Sequence, residues 1–180
     1  QTETPTALVL TRQKLAFIDR TKYAQASGLA RGAYVLADAP GGAPEVVVMS
    51  SGSEVALVLE AQKKLEADGI RARAVSMPSH ELFARQDETY RDSVLPKGVK
   101  RIAMEAAHPM SWYRWVGDAG EIVSIEHYGA SADYKTLFRE FGFTTENVVA
   151  AARRSLARPR SPGACSSARR ERTRPPATGS

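Results

Sequence analysis

Cysteine is almost missing from this sequence: Cys165 is the only one in 180 residues. No disulfide can therefore close within one chain, and the lone thiol fits a reducing compartment. Histidine is scarce too, with His80, His108 and His127 dispersed and no second ligand at helical or hairpin spacing. That excludes the usual zinc patterns. No apolar run approaches the roughly 18 residues needed to cross a bilayer, and the segment Gln1 to Ala7 is too polar for a secretory signal. The sequence reads as soluble and cytoplasmic, with no membrane partner. What is present in quantity is apolar: 43% of residues are hydrophobic, ample for one compact core without covalent staples.

Charge is unevenly placed. Residues 157 to 180 hold six arginines, at 158, 160, 169, 170, 172 and 174, against one acid, Glu171, and so account for the whole net charge of +5. Residues 1 to 156 are neutral, and the basic character belongs to the tail. This tail contains no Val, Ile, Leu, Met, Phe, Tyr or Trp. It cannot bury enough apolar area to offset its ordering entropy, and is expected to be disordered. An arginine-rich arm can grip phosphates, but no aromatic residue interleaves with the arginines to stack on bases. Nucleic acid is thus not the expected partner. Arg, Pro, Ala, Gly and Ser are also what GC-rich coding sequence yields when it is read in another frame beyond Leu156.

The body alternates strand and helix signals. Ala7–Thr11 (ALVLT) is a short continuous apolar run, read as a buried strand. Residues 14 to 31 are polar and read as a connection. Tyr34–Leu36 is a short strand, followed by the turn residues Pro40, Gly41, Gly42 and Pro44. Val46–Met49 is a fully buried strand leading into Ser51 and Glu54, which have the spacing of a capping box. The helix that follows sets Val55, Val58, Leu59 and Leu65 on one side and stops at Gly69. Further strands are expected at Arg73–Met77, Arg101–Met104 and Ile122–Ile125. Helices are expected at Glu81–Arg85, Glu88–Val94, Trp112–Val116 and Tyr134–Phe141, and a last one, capped by Thr144, runs to Leu156. The pattern implies an α/β fold with a mainly parallel sheet covered by helices on both faces. ALVLT fits poorly: no helix precedes it, and over twenty mostly polar residues separate it from the next strand. With Gln1 standing where an initiating Met would be, it reads as the last strand of an upstream domain, orphaned from its sheet.

Several constellations invite chemistry. Gly52 and Ser53 lie between a strand and a helix, where free N–H groups form a candidate anion site. Neither a G-x-G-x-x-G nor a Walker pattern supports it, so ordinary helix capping is the plainer role. His127, Ser131 and Asp133 fall close together but lack a nucleophile elbow, so cap or surface roles fit them better. The run Gly117-Asp118-Ala119-Gly120, with Asn147 downstream, imitates a metal-diphosphate motif. Yet Ala119 stands where close backbone approach normally needs glycine. Arg12 directly follows the ALVLT run, where α/β sheets place ligand-binding groups. A guanidinium there can hold a phosphate with two parallel hydrogen bonds, or make an ordinary surface ion pair.

The segments ALVLTRQ, RGAYVLAD, SGSEVALVLEAQKKL, RARAVSMPSHELFARQD, YRDSVLPK, WYRWVG and FREFGFTTENVV, in this order and at these intervals, resemble the carboxyl-terminal end of bacterial transketolases. The likeness runs from about Pro5 to Leu156. It implies that residues 1–31 are the end of a pyrimidine-binding domain and a linker, that 32–156 are the C-terminal α/β domain, and that 157–180 are an added tail. It further implies a full-length parent that moves a two-carbon ketol unit between sugar phosphates, as a homodimer, with thiamine diphosphate and a divalent metal (Mg or Ca). Arg12 matches the family arginine that grips the substrate phosphate. The family's cofactor ligands and catalytic groups have no counterpart in these residues, so the resemblance implies that the 180 residues alone are inactive. The alternative from another class is an autonomous, non-catalytic interaction or anion-binding module using Gly52 to Glu54.

Overall fold

A computed structural model describes residues 5–11 and 13–159. Among these, a sheet of five strands has the order β1-β3-β2-β4-β5. Its strands are β1 Tyr34–Ala37, β2 Val46–Ser50, β3 Ala72–Ser76, β4 Lys100–Met104 and β5 Glu121–Val123. β2, β3, β4 and β5 are mutually parallel, with Val46 opposite both Ala72 and Lys100 and with Ile102 opposite Glu121. β1 alone runs antiparallel, along the outer edge of β3. The short loop from Ala37 to Val46 explains this, because parallel strands need a crossover of about a dozen residues or more to return the chain to the same end of the sheet.

Six helices accompany the sheet among the described residues: α1 Val55–Ala67, α2 His80–Ala84, α3 Glu88–Val94, α4 Tyr113–Val116, α5 Tyr134–Glu140 and α6 Thr145–Ala157. Alternation along each strand splits the core in two. Val46, Val48, Ala74, Ile102 and Met104 pack with α1 and α6 on one face, through Val58, Leu65, Val148 and Ala152. Val47, Met49, Val75 and Ala103 pack on the other face with Phe83 of α2, Val94 of α3 and Trp115 of α4. The continuous apolar runs of β2 and β3 follow from this double covering, since every residue of both strands is buried.

Caps and stops sit largely where the sequence places them. Thr144 Oγ1 accepts from Asn147 N at the start of α6, and Gly69 adopts φ +79° after α1. Arg73 is buried yet satisfied: its guanidinium donates twice to Asp38, at 2.7 and 3.1 Å, and also to the carbonyls of Ser93 and Val94. It thereby fastens the β1 edge and the end of α3 to the sheet.

Two sequence expectations fail. Ala7–Thr11 is not a strand here: it pairs with nothing among the described residues, and Leu8, Val9 and Leu10 are 79%, 91% and 75% exposed. A strand exists only through ladder bonds to a neighbour, and the five strands of this sheet supply none to it. The capping box also does not form, because Ser51 Oγ is turned to Glu105 instead of the helix backbone. A 3-10 turn over Gly52–Glu54 opens α1 in its place. The disordered tail expected at 157–180 lies outside the described residues from 160 onward, and Ala157 is the last residue of α6.

Candidate functional site

In a doubly wound sheet, ligands gather outside the carboxyl ends of the strands, where neighbouring strands send the chain to opposite faces. Here that place lies between β2 and β4. The chain leaves β2 into α1, which covers one face, and leaves β4 toward α4, which covers the other. Ser51 follows β2 and Glu105 follows β4, and across the gap Ser51 Oγ donates to Glu105 Oε2 at 2.8 Å. A crevice of about 210 Å³ opens beside this pair, with Ser79, His80, Ser111 and Trp112 around it.

The electrostatics of the crevice are unusual for a surface feature. Burial pushes the Glu105 carboxyl up to about 7, against the opposing hydrogen bonds from Ser51 and Trp112 and with help from the nearby Glu54 charge. Glu54 is 3% exposed and is also raised by burial, although Ser53 Oγ donates to it at 2.8 Å. His80 packs edge-on against Trp112, with ring centroids 4.6 Å apart, and burial holds its imidazole below the ordinary value against the Glu81 charge and the Ser111 backbone. Shifts of this kind, caused by burial in a cleft, are concentrated at functional sites.

Gly52 and Ser53 occupy the helix start as expected, with Gly52 exposed at φ +53°. Their surroundings are carboxylates, Glu54 and Glu105, a charge of the sign that repels an anion. Arg12 lies outside the described residues. The remaining constellations do not assemble. The Nδ1 of His127 lies 2.7 Å from the Tyr128 carbonyl oxygen, while Asp133 caps α5 by accepting from Lys135 N and Thr136 N. His108 caps the 3-10 turn Pro109–Ser111. Asp118 lies on the turn between α4 and β5, whereas the Asn147 amide donates to the Gly142 carbonyl beside α6. These two do not fit a metal diphosphate, and among the described residues no three His, Cys, Asp or Glu side chains gather as metal ligands.

A wider crevice of about 490 Å³ runs along the β5 edge past Tyr113, Asp118 and Glu126. Its most enclosed acid, Glu121, is already tied to Arg154 and Arg158. Glu105 is the residue that sequence reasoning passed over. The signal was there: an acid directly after a buried strand, the same position that drew attention to Arg12.

The profile of the transketolase-like TK C-terminal domain matches residues 32–144. The chain belongs to the transketolase family. It is 54% identical over 157 residues to the transketolase of Mycobacterium tuberculosis, covering 84% of this chain and 22% of that protein. Identity to transketolase 1 of Escherichia coli is 50% over 153 residues, covering 84% and 23%. The chain thus spans about a fifth of the length of the curated relatives it matches. Among solved structures, a variant transketolase of Pichia stipitis superposes with a TM-score of 0.72 at 30% identity, over 81% of this chain and 20% of that one. The same yeast's transketolase in complex with sedoheptulose 7-phosphate gives 0.68 at 30% identity, over 76% and 19%. Sequence and fold therefore agree on a mostly parallel C-terminal transketolase domain. Among the described residues, no helix is long and apolar enough to cross a membrane.

Proposed function

We propose that this chain is the C-terminal part of a transketolase that transfers a two-carbon ketol unit between sugar phosphates in the cytoplasm, as a homodimer. The observation that carries this reading is identity of about half to transketolases over 84% of the chain. Thiamine diphosphate and a divalent metal supply the carbanion chemistry in such an enzyme. Asp118 and Asn147 do not suit that group, so in this reading it is held by the four fifths of a family-length protein that these residues do not span. The share of this chain is a packing domain and one phosphate clamp, Arg12, whose planar guanidinium suits bidentate contact with a sugar phosphate. The 180 residues alone are inactive.

The test is an assay with xylulose 5-phosphate and ribose 5-phosphate in the presence of cofactor. Turnover by the 180-residue chain refutes the inactivity. In a family-length enzyme, Arg12→Ala raises KM for phosphorylated substrates by the equivalent of about 1.5 to 3 kcal/mol, the range of a lost charge-assisted hydrogen bond. An unchanged KM removes Arg12 from the site.

A further inference from the structure

The crevice between the ends of β2 and β4 is not accounted for by the transketolase reading, which places chemistry elsewhere. We infer that it is a binding site for a small, uncharged, polyhydroxylated ligand, held among Ser51, Glu105, His80 and Ser111. Three observations carry this.

The first is position. The crevice sits at the point where β2 and β4 send the chain to opposite faces, the location at which α/β sheets expose backbone and side-chain groups to ligands. The second is size. About 210 Å³ is the room that about seven waters take up in liquid, at about 30 Å³ each. It is below the 300 to 1,000 Å³ of common drug-sized pockets, so the part of a ligand that it encloses is small.

The third is the chemistry of the wall. No Lys or Arg lines the crevice, and the acids Glu81 and Glu105 do, so phosphate and carboxylate ligands meet no counter-charge. Of the remaining polar groups, the Ser79 hydroxyl is already engaged as the cap of α2, accepting from Leu82 N and donating to Glu81. Ser51, Ser111 and His80 remain, groups that can both donate and accept, with the Ser51 proton directed to Glu105. Serine hydroxyls do so by nature, and a neutral imidazole presents one donor and one acceptor. Burial keeps His80 in that neutral form and leaves Glu105 close to half protonated near neutral pH. A wall of this sort complements hydroxyl groups, which also donate and accept, better than it complements anions. Sugars without a phosphate and open-chain polyols have that character. Trp112 and Trp115 pack edge-on against the His80 ring, at centroid distances of 4.6 and 6.1 Å, and so set its orientation in advance.

The experiment is a titration of the 180-residue chain with xylitol, followed by amide chemical shifts, with inorganic phosphate as the contrasting probe. Saturable shifts in the millimolar range, confined to Ser51, the segment 77–81 and the segment 105–112, support the site. Ser51→Ala weakens xylitol binding about five- to tenfold, the loss of one hydrogen bond. Glu105→Gln, whose amide also donates and accepts, stays within about threefold of the parent, whereas Glu105→Leu loses more than about tenfold. A merely structural Ser51–Glu105 bond predicts no saturation, or binding that ignores all three substitutions. Either result overturns the inference, as does phosphate binding more tightly than xylitol. None of these readouts depends on transketolase activity, so the two proposals fail separately.

Discussion

Residues 7–11 (ALVLT) and 46–50 (VVVMS) carry nearly the same apolar, branched composition. In β2 every side chain is buried and both neighbours, β3 and β4, complete its ladder. In the other segment Val9 is 91% exposed and no strand forms. Composition makes a strand available, and neighbours make it real. The central run is framed on both sides by strands whose connecting helices bring them back parallel. The N-terminal run has no framing partner among the described residues.

The contrast is sharpest under large-to-small substitution. Leu65 of α1 is fully buried against the face that contains Val48 and Ile102. Leu65→Ala removes its transfer energy and leaves a cavity, so unfolding by denaturant should show a loss of about 2 to 5 kcal/mol. Leu8→Ala, at 79% exposure, should move the same midpoint hardly at all. Equal losses at the two positions would mean that the N-terminal run is packed in solution.

The sheet was largely readable because double burial writes itself as unbroken apolar runs. Val46–Met49, Arg73–Met77 and Arg101–Met104 each fall within a residue or so of an observed strand. The helix face of Val55, Val58, Leu59 and Leu65 is buried as the 3.6-residue period requires. Strand direction at the edge was not readable from residues 34–37 themselves, since it depends on the length of the following loop. The capping box was misread because Ser51 had two suitors, the helix backbone and Glu105. Glu105 lies 54 positions away, a partner that local spacing cannot reveal. The crevice was missed for the same reason: its groups come from the ends of three strands and the turns after them, and only the topology brings them together.

Those same distant partners make the central region sensitive to pH in a way the N-terminal run is not. Glu105 titrates near 7 in the folded chain and near 4.5 when unfolded, because burial disfavours its charged form. Below about pH 4.5 both states hold the proton and the group contributes nothing. Between about pH 4.5 and 7 the unfolded chain has given up its proton while the folded chain still holds it, so stability falls as pH rises, and it levels above about 7 once both have lost it. A shift of this size corresponds to about 3 kcal/mol at most, and partial solvation reduces it to about 1 to 3 kcal/mol. Glu105→Gln removes this dependence. The difference in unfolding free energy between parent and variant, measured from pH 4 to 8, should therefore fall as pH rises and flatten above about 7.5. Parallel curves would mean that the carboxyl is solvated and carries its charge at ordinary cost in the folded chain.

The smallest expected effect bears most directly on the opening contrast. Val9→Ser in the 180-residue chain exchanges one exposed side chain for another and should change stability by less than about 0.5 kcal/mol. In a family-length protein, where ALVLT is expected to be the last strand of an upstream sheet, the same substitution places a hydroxyl on a buried strand and should cost about 1 to 3 kcal/mol. The pair of measurements reads out whether neighbours, rather than residues 7–11 themselves, decide the conformation. A negligible cost in both chains would show that the segment is a linker in either setting, and Arg12 would then lose the strand end that is expected to aim it at a phosphate.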